Sequence, residues 1–158
     1  MNDAAVESVR SLWVPLSGTN LLVPNVAIAE VIGHQPYETL AGGPDWLLGS
    51  LRWRDILVPV VSMERLLGFE MPDAGRGARI AVVNSVKADS GLSFYAMPTA
   101  GIPRLFAADE DALGAAVEAG EARAESVACA VQIGSEKALV PNMEVIQVLI
   151  AETWKQFF

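Results

Sequence analysis

Apolar and polar residues alternate with a period of two along several stretches of this chain. The alternation runs through residues 9–16, 92–97 and 126–133, and a further run rich in valine covers residues 80–86. A period of two places every second side chain on one face, as in a half-buried strand of an antiparallel sheet. Cys129 falls on the apolar face of its segment. Many short strands separated by Gly, Pro and Asp turns predict an all-β barrel or sandwich.

The tripeptide Leu-Val-Pro occurs three times, at residues 22–24, 57–59 and 139–141. Proline lacks an N–H and cannot continue a central ladder, so each copy predicts a strand that stops near the proline and precedes a short helix. The predicted N-cap residues are Asn25, Ser62 and Asn142. The recurrence predicts two similar halves, although three-residue matches also arise by chance in a chain rich in Leu and Val.

Further signals mark the ends of helices. Gly68 stands where a C′ glycine is expected, and Pro44 suits the first turn of a short helix that carries residues 46–48. The tail, residues 152–158, is predicted to continue the last helix and to pack its aromatic side chains on the body of the protein. An exposed docking tail is the alternative.

The bulk composition limits the classes of function. The 158 residues are enough for one domain with its own core, and residues 71–79 and 109–125 are interpreted as loops. Apolar residues make up 52% of the chain, so some of them are either unusually well buried or placed on a working surface. A net charge of −8 with only 11 scattered Lys and Arg residues argues against binding to nucleic acid or to anionic lipid.

The single cysteine and the single histidine leave little room for catalysis. Cys129 has no second cysteine for an intramolecular disulfide, which suits a reducing compartment. The sequence shows neither a signal peptide nor an apolar run near the ~20 residues of a membrane span, so a cytoplasmic protein without membrane insertion is expected. His34 is expected in an exposed turn. No catalytic, cofactor-binding or metal-binding residue is predicted, although a carboxylate pair formed by the fold is invisible in sequence.

Residues 49–62 are the most informative stretch. Leu51 and Trp53 alternate with the basic residues Arg52 and Arg54, ahead of a predicted turn at Arg54–Asp55 and an apolar strand. Trp and Arg are the residue types most enriched in protein-binding hot spots. The alternative is that Trp53 lies in the core and the arginines are solvated turn residues.

This stretch resembles the signature of the CheW-like adaptor family, which reads glycine, two variable residues, Asn-Leu-Arg-Gly, and an apolar strand with Pro-Val before a helix. The positions that match it without a gap are Gly49, Arg54, Pro59 and Val60. Glu30 stands at the family's acidic position, and Pro44, Asp45 and Trp46 fit its entry motif. Met63, Leu66 and Leu67 fit the helix that follows, and Asn142-Met143-Glu144 fits the family's closing strand end of Asn or Asp, an apolar residue and an acid. The resemblance covers roughly residues 9–150.

Several positions depart from the family pattern. Arg52 replaces the usual Asn, Trp53 the Leu, Asp55 the Gly and Ser62 the Asp, and residues 99–103 replace an acidic segment. The chain is therefore similar to a divergent member, and its overall pattern resembles the accessory ChpC-like adaptors of type IV pilus chemosensory clusters.

The resemblance implies a fold of two packed five-stranded SH3-like β-barrels in one domain, residues 1–158. Subdomain 1 would span about 20–85, with strands exchanged at the ends, and subdomain 2 about 86–140. The implied role is a non-catalytic adaptor between the cytoplasmic tip of methyl-accepting chemoreceptors and the regulatory domain of a CheA-type histidine kinase. It would act in the bacterial cytoplasm, in polar receptor arrays, and in control of twitching motility.

The resemblance also implies site residues. Glu30 and Arg54 would form a partly buried ion pair that holds the turn, and Trp53 would line an interface or groove. The predicted protein-interaction residues are Leu51, Arg52, Trp53, Arg54 and Val58. Altered positions in the signature leave open an adaptor that binds receptor but not kinase, or the reverse. The alternatives from other classes are a small-ligand-binding β-barrel sensor and a hydrolase or transferase with a carboxylate pair.

Overall fold

Two six-stranded sheets contain most of the residues described by the computed structural model, which are 9–70, 75–85, 91–108, 116–117 and 124–157. The strands are β1 (Val9–Pro15), β2 (Asn20–Pro24), β3 (Ile28–Gly33), β4 (Glu38–Thr39), β5 (Leu47–Trp53), β6 (Ile56–Val61), β7 (Arg79–Asn84), β8 (Phe94–Thr99), β9 (Arg104–Ala108), β10 (Ala116–Val117), β11 (Val127–Ile133) and β12 (Glu136–Pro141). The α-helices are α1 (Met63–Leu67) and α2 (Met143–Trp154), and two 3-10 turns cover Asn25–Ala27 and Ala124–Ser126. The predicted all-β class is confirmed.

The two sheets repeat one arrangement of strands. Their orders are β10-β11-β12-β2-β1-β9 and β4-β5-β6-β8-β7-β3. Each has five strands of five to seven residues and one of two residues, and each contains one parallel pair, β12 with β2 or β6 with β8. Each parallel pair involves a strand that leads directly into a helix. The two similar halves predicted from the Leu-Val-Pro repeat are therefore present, and the equivalent copies are the second and the third.

Apolar side chains form three buried clusters. One lies within the first sheet around Trp13, and another within the second sheet around Trp53. The largest contains residues of both sheets and of both helices, including Val14, Val61 and Ile146. The small clusters fill the inside of each curled sheet, and the large one joins the two sheets, as two packed barrels require.

The helix caps follow the chemistry read from the sequence in two of three cases. The Ser62 hydroxyl accepts a hydrogen bond from Arg65 N, and the Asn142 side chain accepts one from Val145 N, so both predicted N-caps are confirmed. Gly68 ends α1 with φ of 98°, the left-handed conformation that glycine adopts at low cost. The prediction for Asn25 is wrong. Pro24 takes the N-cap position, and Asn25 is already the first residue of a single 3-10 turn that returns to a strand.

A β-bulge corrects the prediction for Cys129. The register between β11 and β12 shifts between Val127 and Cys129, which inserts Ala128 as an extra residue. Because an extra residue reverses the alternation beyond it, Ala130 turns into the large cluster and Cys129 is exposed. His34 lies in an exposed segment without regular structure, as predicted.

The predictions about prolines have different outcomes. Residues 46–48 form no helix after Pro44, because Leu47 already begins β5 and pairs with Val61, so that prediction is wrong. The prediction of strands that stop near the prolines of Leu-Val-Pro is confirmed: β2 and β12 end at Pro24 and Pro141, and β6 ends shortly after Pro59, at Val61, before α1 begins.

The predicted tail and the predicted loops lie only partly within the described residues. Trp154 and Phe157 pack against the large cluster, which confirms the predicted packing of the tail for those two residues. Phe158 and most of the predicted loops, residues 71–74, 109–115 and 118–123, lie outside the described residues. The subdomain bounds of about 20–85 and 86–140 stay a prediction. In the structure, β2 (Asn20–Pro24) belongs to the first sheet and β8 (Phe94–Thr99) to the second.

Candidate protein-interaction surface

The β5–β6 hairpin turns over two residues that both have left-handed backbone. Arg54 has φ of 49° and Asp55 has φ of 63°, which confirms the turn predicted from the sequence. Positive φ at both central residues is the mark of a type I′ turn, whose twist matches that of the flanking strands. Asp tolerates this conformation better than most residues, since its short side chain can bond locally, but Arg does not share that advantage. The turn therefore holds the Arg54 side chain outward at a conformational cost.

One carboxylate oxygen of Glu30 binds both Trp53, the last residue of β5, and Arg54, the first residue of the turn. Oε1 of Glu30 accepts a hydrogen bond from Trp53 Nε1 at 2.9 Å and one from Arg54 Nη2 at 3.2 Å. The Arg54 guanidinium also lies over the Trp53 ring, 4.7 Å from its centroid. The side chains of Arg54 and Glu30 remain 65% and 39% exposed. The ion pair is therefore solvated rather than desolvated, and water screens much of its attraction.

This cluster closes the second sheet. Glu30 lies on β3 at one edge, whereas Trp53 and Arg54 belong to the hairpin near the other edge. A contact between strands so far apart in the order requires the sheet to curl until its edges meet. The hydrogen bond from the indole and the ion pair therefore act across the seam of the barrel.

Trp53 is a core residue, which corrects the expectation that it lines an interface. Its side chain is 6% exposed and packs edge-on against Phe94, with ring centroids 4.8 Å apart. Leu51 and Val58, two further predicted interaction residues, are buried in the same cluster. The strands place these three side chains on the inside of the curled sheet, so a binding partner on this face would not contact them directly. Arg52 and Arg54 are exposed.

Sequence reasoning missed two exposed apolar residues beside the turn. Ile56 and Leu57 are 40% and 37% exposed and pair across the hairpin with Trp53 and Arg52. The sequence analysis assigns both residues to an apolar strand, and two consecutive apolar residues give no signal about which one faces solvent. We define the hairpin surface as Arg52 and Leu57, which pair on the outer face of the hairpin, together with Arg54 and Ile56 at its tip. Arginine is enriched in protein interfaces, and exposed apolar side chains beside it add area that a partner could bury.

The first sheet carries a similar cluster with its charges exchanged. Arg104 of the edge strand β9 lies 3.7 Å from Glu136 of the β11–β12 hairpin, and its guanidinium is 5.5 Å from the centroid of the Trp13 ring. In the second sheet the edge strand supplies the acid and the hairpin supplies the base. The two barrels are thus closed in the same way but present opposite charges at equivalent places.

Gly49 positions the hairpin from the other side. A Cβ at this position would overlap the carbonyl oxygen of Glu38 in the neighbouring strand β4. The register of β5 also shifts between Leu47 and Gly49. Only glycine allows β4 to approach this closely, which gives a physical reason for the glycine that the sequence motif contains.

Two kinds of feature are absent from the part of the chain that the structure describes. Within it, no three His, Cys, Asp or Glu residues come close enough together to hold a metal ion. Its helices are all too short or too polar to cross a lipid bilayer.

Comparison with known proteins identifies one family model and a similar fold. A family model described as the CheW-like domain matches residues 10–151. The fold also matches the crystal structure of the scaffolding protein TtCheW from Thermoanaerobacter tengcongensis, with a TM-score of 0.73 and 11% sequence identity, over 88% of this chain and 87% of that chain. No curated protein matches the sequence significantly.

Proposed function

This chain belongs to the CheW-like domain family, and we propose that it acts as a non-catalytic scaffold in chemotaxis signalling. In this role it couples methyl-accepting chemoreceptors to a CheA-type histidine kinase. The family match over residues 10–151 carries the proposal. The fold shared with a scaffolding protein supports it.

The hairpin surface suits the contact with one of these partners. Arg54 stands on a rigid two-residue turn, and its guanidinium is held by Glu30 and by the Trp53 ring. These contacts orient the side chain before a partner binds, which lowers the ordering cost of the interaction. Ile56 and Leu57 supply apolar area next to it. Buried Leu51, Trp53 and Val58 support this surface from below.

In finer detail, we propose that the partners are the regulatory domain of the kinase and the cytoplasmic tip of the receptor. The output would be control of type IV pili, as the resemblance to ChpC-like adaptors implies. The departures at Arg52 and Asp55 lie on the hairpin itself. They are therefore the positions at which preference for one partner over the other is most easily changed.

A reconstituted signalling assay tests the coupling role. Kinase autophosphorylation is measured with receptor-containing membranes, with and without this protein, using the kinase and a receptor from the same genome. The scaffold role predicts that the protein makes kinase activity respond to the receptor's ligand. Binding to both partners without any change in that response would contradict coupling.

A further inference from the structure

A half-open cavity of about 670 Å³ lies beside α1. Its walls come from the segment between β3 and β5, from α1 and from the end of β8, and no residue of the hairpin surface lines it. The volume falls within the range of roughly 300–1,000 Å³ found for small-molecule sites. Its apolar lining includes Leu40, Leu47 and Leu48.

A buried carboxyl group lines this cavity. Glu64 is 3% exposed, and its Oε2 accepts a hydrogen bond from Ser17 N at 3.0 Å. Its Oε1 is buried and makes no hydrogen bond. Burial raises the pKa of Glu64, although the Ser17 N–H, the Ser62 hydroxyl and the charge of Arg65 favour the ionised form. A buried acceptor without a donor is costly, so a ligand donor that reached this oxygen would gain binding energy.

A cation lines the same cavity. Arg65 donates from Nη1 to the carbonyl oxygen of Asp45 at 3.0 Å, and it forms no ion pair within the described residues. Its charge lowers the pKa of Tyr37, which burial raises to a greater extent, so the guanidinium acts on the phenol as well as on Glu64. The cavity is thus lined by one guanidinium, that of Arg65, and by two acids, Glu64 and Asp45. Within the described residues, neither acid forms a salt bridge with Arg65.

We propose that this cavity binds a small zwitterion with an apolar side chain, of the free α-amino acid class. A ligand of one sign alone would meet a like charge, an ammonium at Arg65 or a carboxylate at Glu64, and like-charge contacts are a strong source of discrimination. A zwitterion places its ammonium toward Glu64, its carboxylate toward Arg65 and its side chain against the leucines. This site does not depend on the scaffold role.

Isothermal titration with L-leucine as the probe tests the site. Two analogues each lack one charge: 3-methylbutylamine has no carboxylate, and 4-methylpentanoate has no ammonium. Glu64→Gln removes the charge but keeps an oxygen that can accept from Ser17 N. Glu144→Gln is the matched control, because Glu144 holds the same place in α2, directly after Met143, and is exposed.

We expect L-leucine to bind, and both analogues to bind at least tenfold more weakly. Glu64→Gln should lower the affinity for L-leucine at least tenfold. Glu144→Gln should leave its affinity unchanged. The absence of L-leucine binding at 10 mM ligand, about tenfold above a Kd of 1 mM, would overturn the proposal. Equal affinity for L-leucine and either analogue, or unchanged affinity in Glu64→Gln, would also overturn it.

Discussion

Trp53 donates its indole hydrogen bond to the same Glu30 oxygen that binds the guanidinium of Arg54. A buried ring and an exposed charge therefore share one acceptor across the seam of the second barrel. Trp53 contributes to the free energy of folding, whereas Arg54 is available at the surface. The two residues must be tested by different measurements, since a loss of binding in a Trp53 variant would not distinguish contact from unfolding.

Trp53→Ala is expected to lower the free energy of unfolding by about 3–5 kcal/mol, because it leaves a cavity in the cluster and removes the hydrogen bond to Glu30. Urea unfolding followed by circular dichroism measures the change. Leu57→Ala, at an exposed apolar position of the same hairpin, should cost less than about 1 kcal/mol. Similar small losses in both variants would show that Trp53 is not a core residue.

Arg54→Ala is expected to lower the free energy of unfolding by no more than about 1 kcal/mol, since an exposed ion pair and an exposed cation–π contact each contribute little. Arg104→Ala removes the equivalent contacts of the first sheet and should have an effect of the same size. Thermal and urea unfolding of both variants provide the comparison. A loss of several kcal/mol in Arg54→Ala would mean that the pair is desolvated and holds the turn by itself.

Asp55→Gly is expected to stabilise the protein by about 0.5–1 kcal/mol, because glycine adopts a positive φ without the steric cost of a Cβ. Gly134 occupies the corresponding turn of the β11–β12 hairpin with φ of 63° and open space around it. Gly134→Ala should therefore destabilise the protein by about 1 kcal/mol. If Asp55→Gly is destabilising instead, the aspartate makes a contribution to the turn that exceeds its backbone cost.

Gly49→Ala is expected to destabilise the protein by more than about 2 kcal/mol, because the new Cβ would overlap the backbone of Glu38 and force β4 away. Gly33→Ala is the control, since it lies at the end of β3 with nothing within 4 Å of a Cβ. That substitution should be close to neutral. Equal effects of the two substitutions in chemical unfolding would contradict the close approach of β4.

Glu64→Gln is expected to be more stable than the wild type near neutral pH. Burial raises the pKa of Glu64 in the folded state above its value in the unfolded state. The protonated carboxyl therefore stabilises the fold relative to the ionised one. This stability is fully present below the unfolded pKa and is lost as pH rises through the folded pKa. The difference between variant and wild type should therefore shrink as pH falls to about 4, near the ordinary pKa of glutamate. Urea unfolding at both pH values, with Glu144→Gln as control, measures it. A difference independent of pH would show that ionisation of Glu64 is not its cause.

Much of the fold follows from short-range chemistry that the sequence displays. The caps at Ser62 and Asn142, the glycine at 68 and the turn at Arg54–Asp55 each depend on residues within one turn of chain. The predictions that were wrong depend on contacts between residues far apart in the chain. The bulge that exposes Cys129 depends on the pairing of β11 with β12, and no residue type in β11 marks it.

In the candidate site, too, the contacts between distant parts of the chain could not be predicted from the residues alone. The contact between Glu30 and Arg54 follows the resemblance to a family, not the residues alone, since the two lie on strands far apart in the chain. The burial of Trp53 became apparent only once β3 was known to meet the hairpin. Glu64 gave no signal, because an acid in the first turn of a helix is ordinarily solvated.

Titration of the kinase regulatory domain tests the central claim most directly. The domain comes from the CheA-type kinase of the same genome and is titrated into wild-type protein, Arg54→Ala and Arg104→Ala by isothermal calorimetry. The account predicts micromolar or tighter binding to the wild type, at least tenfold weaker binding to Arg54→Ala, and unchanged binding to Arg104→Ala. The absence of wild-type binding would contradict a scaffold that holds this kinase, and equal affinity of all three proteins would contradict the hairpin surface as the contact.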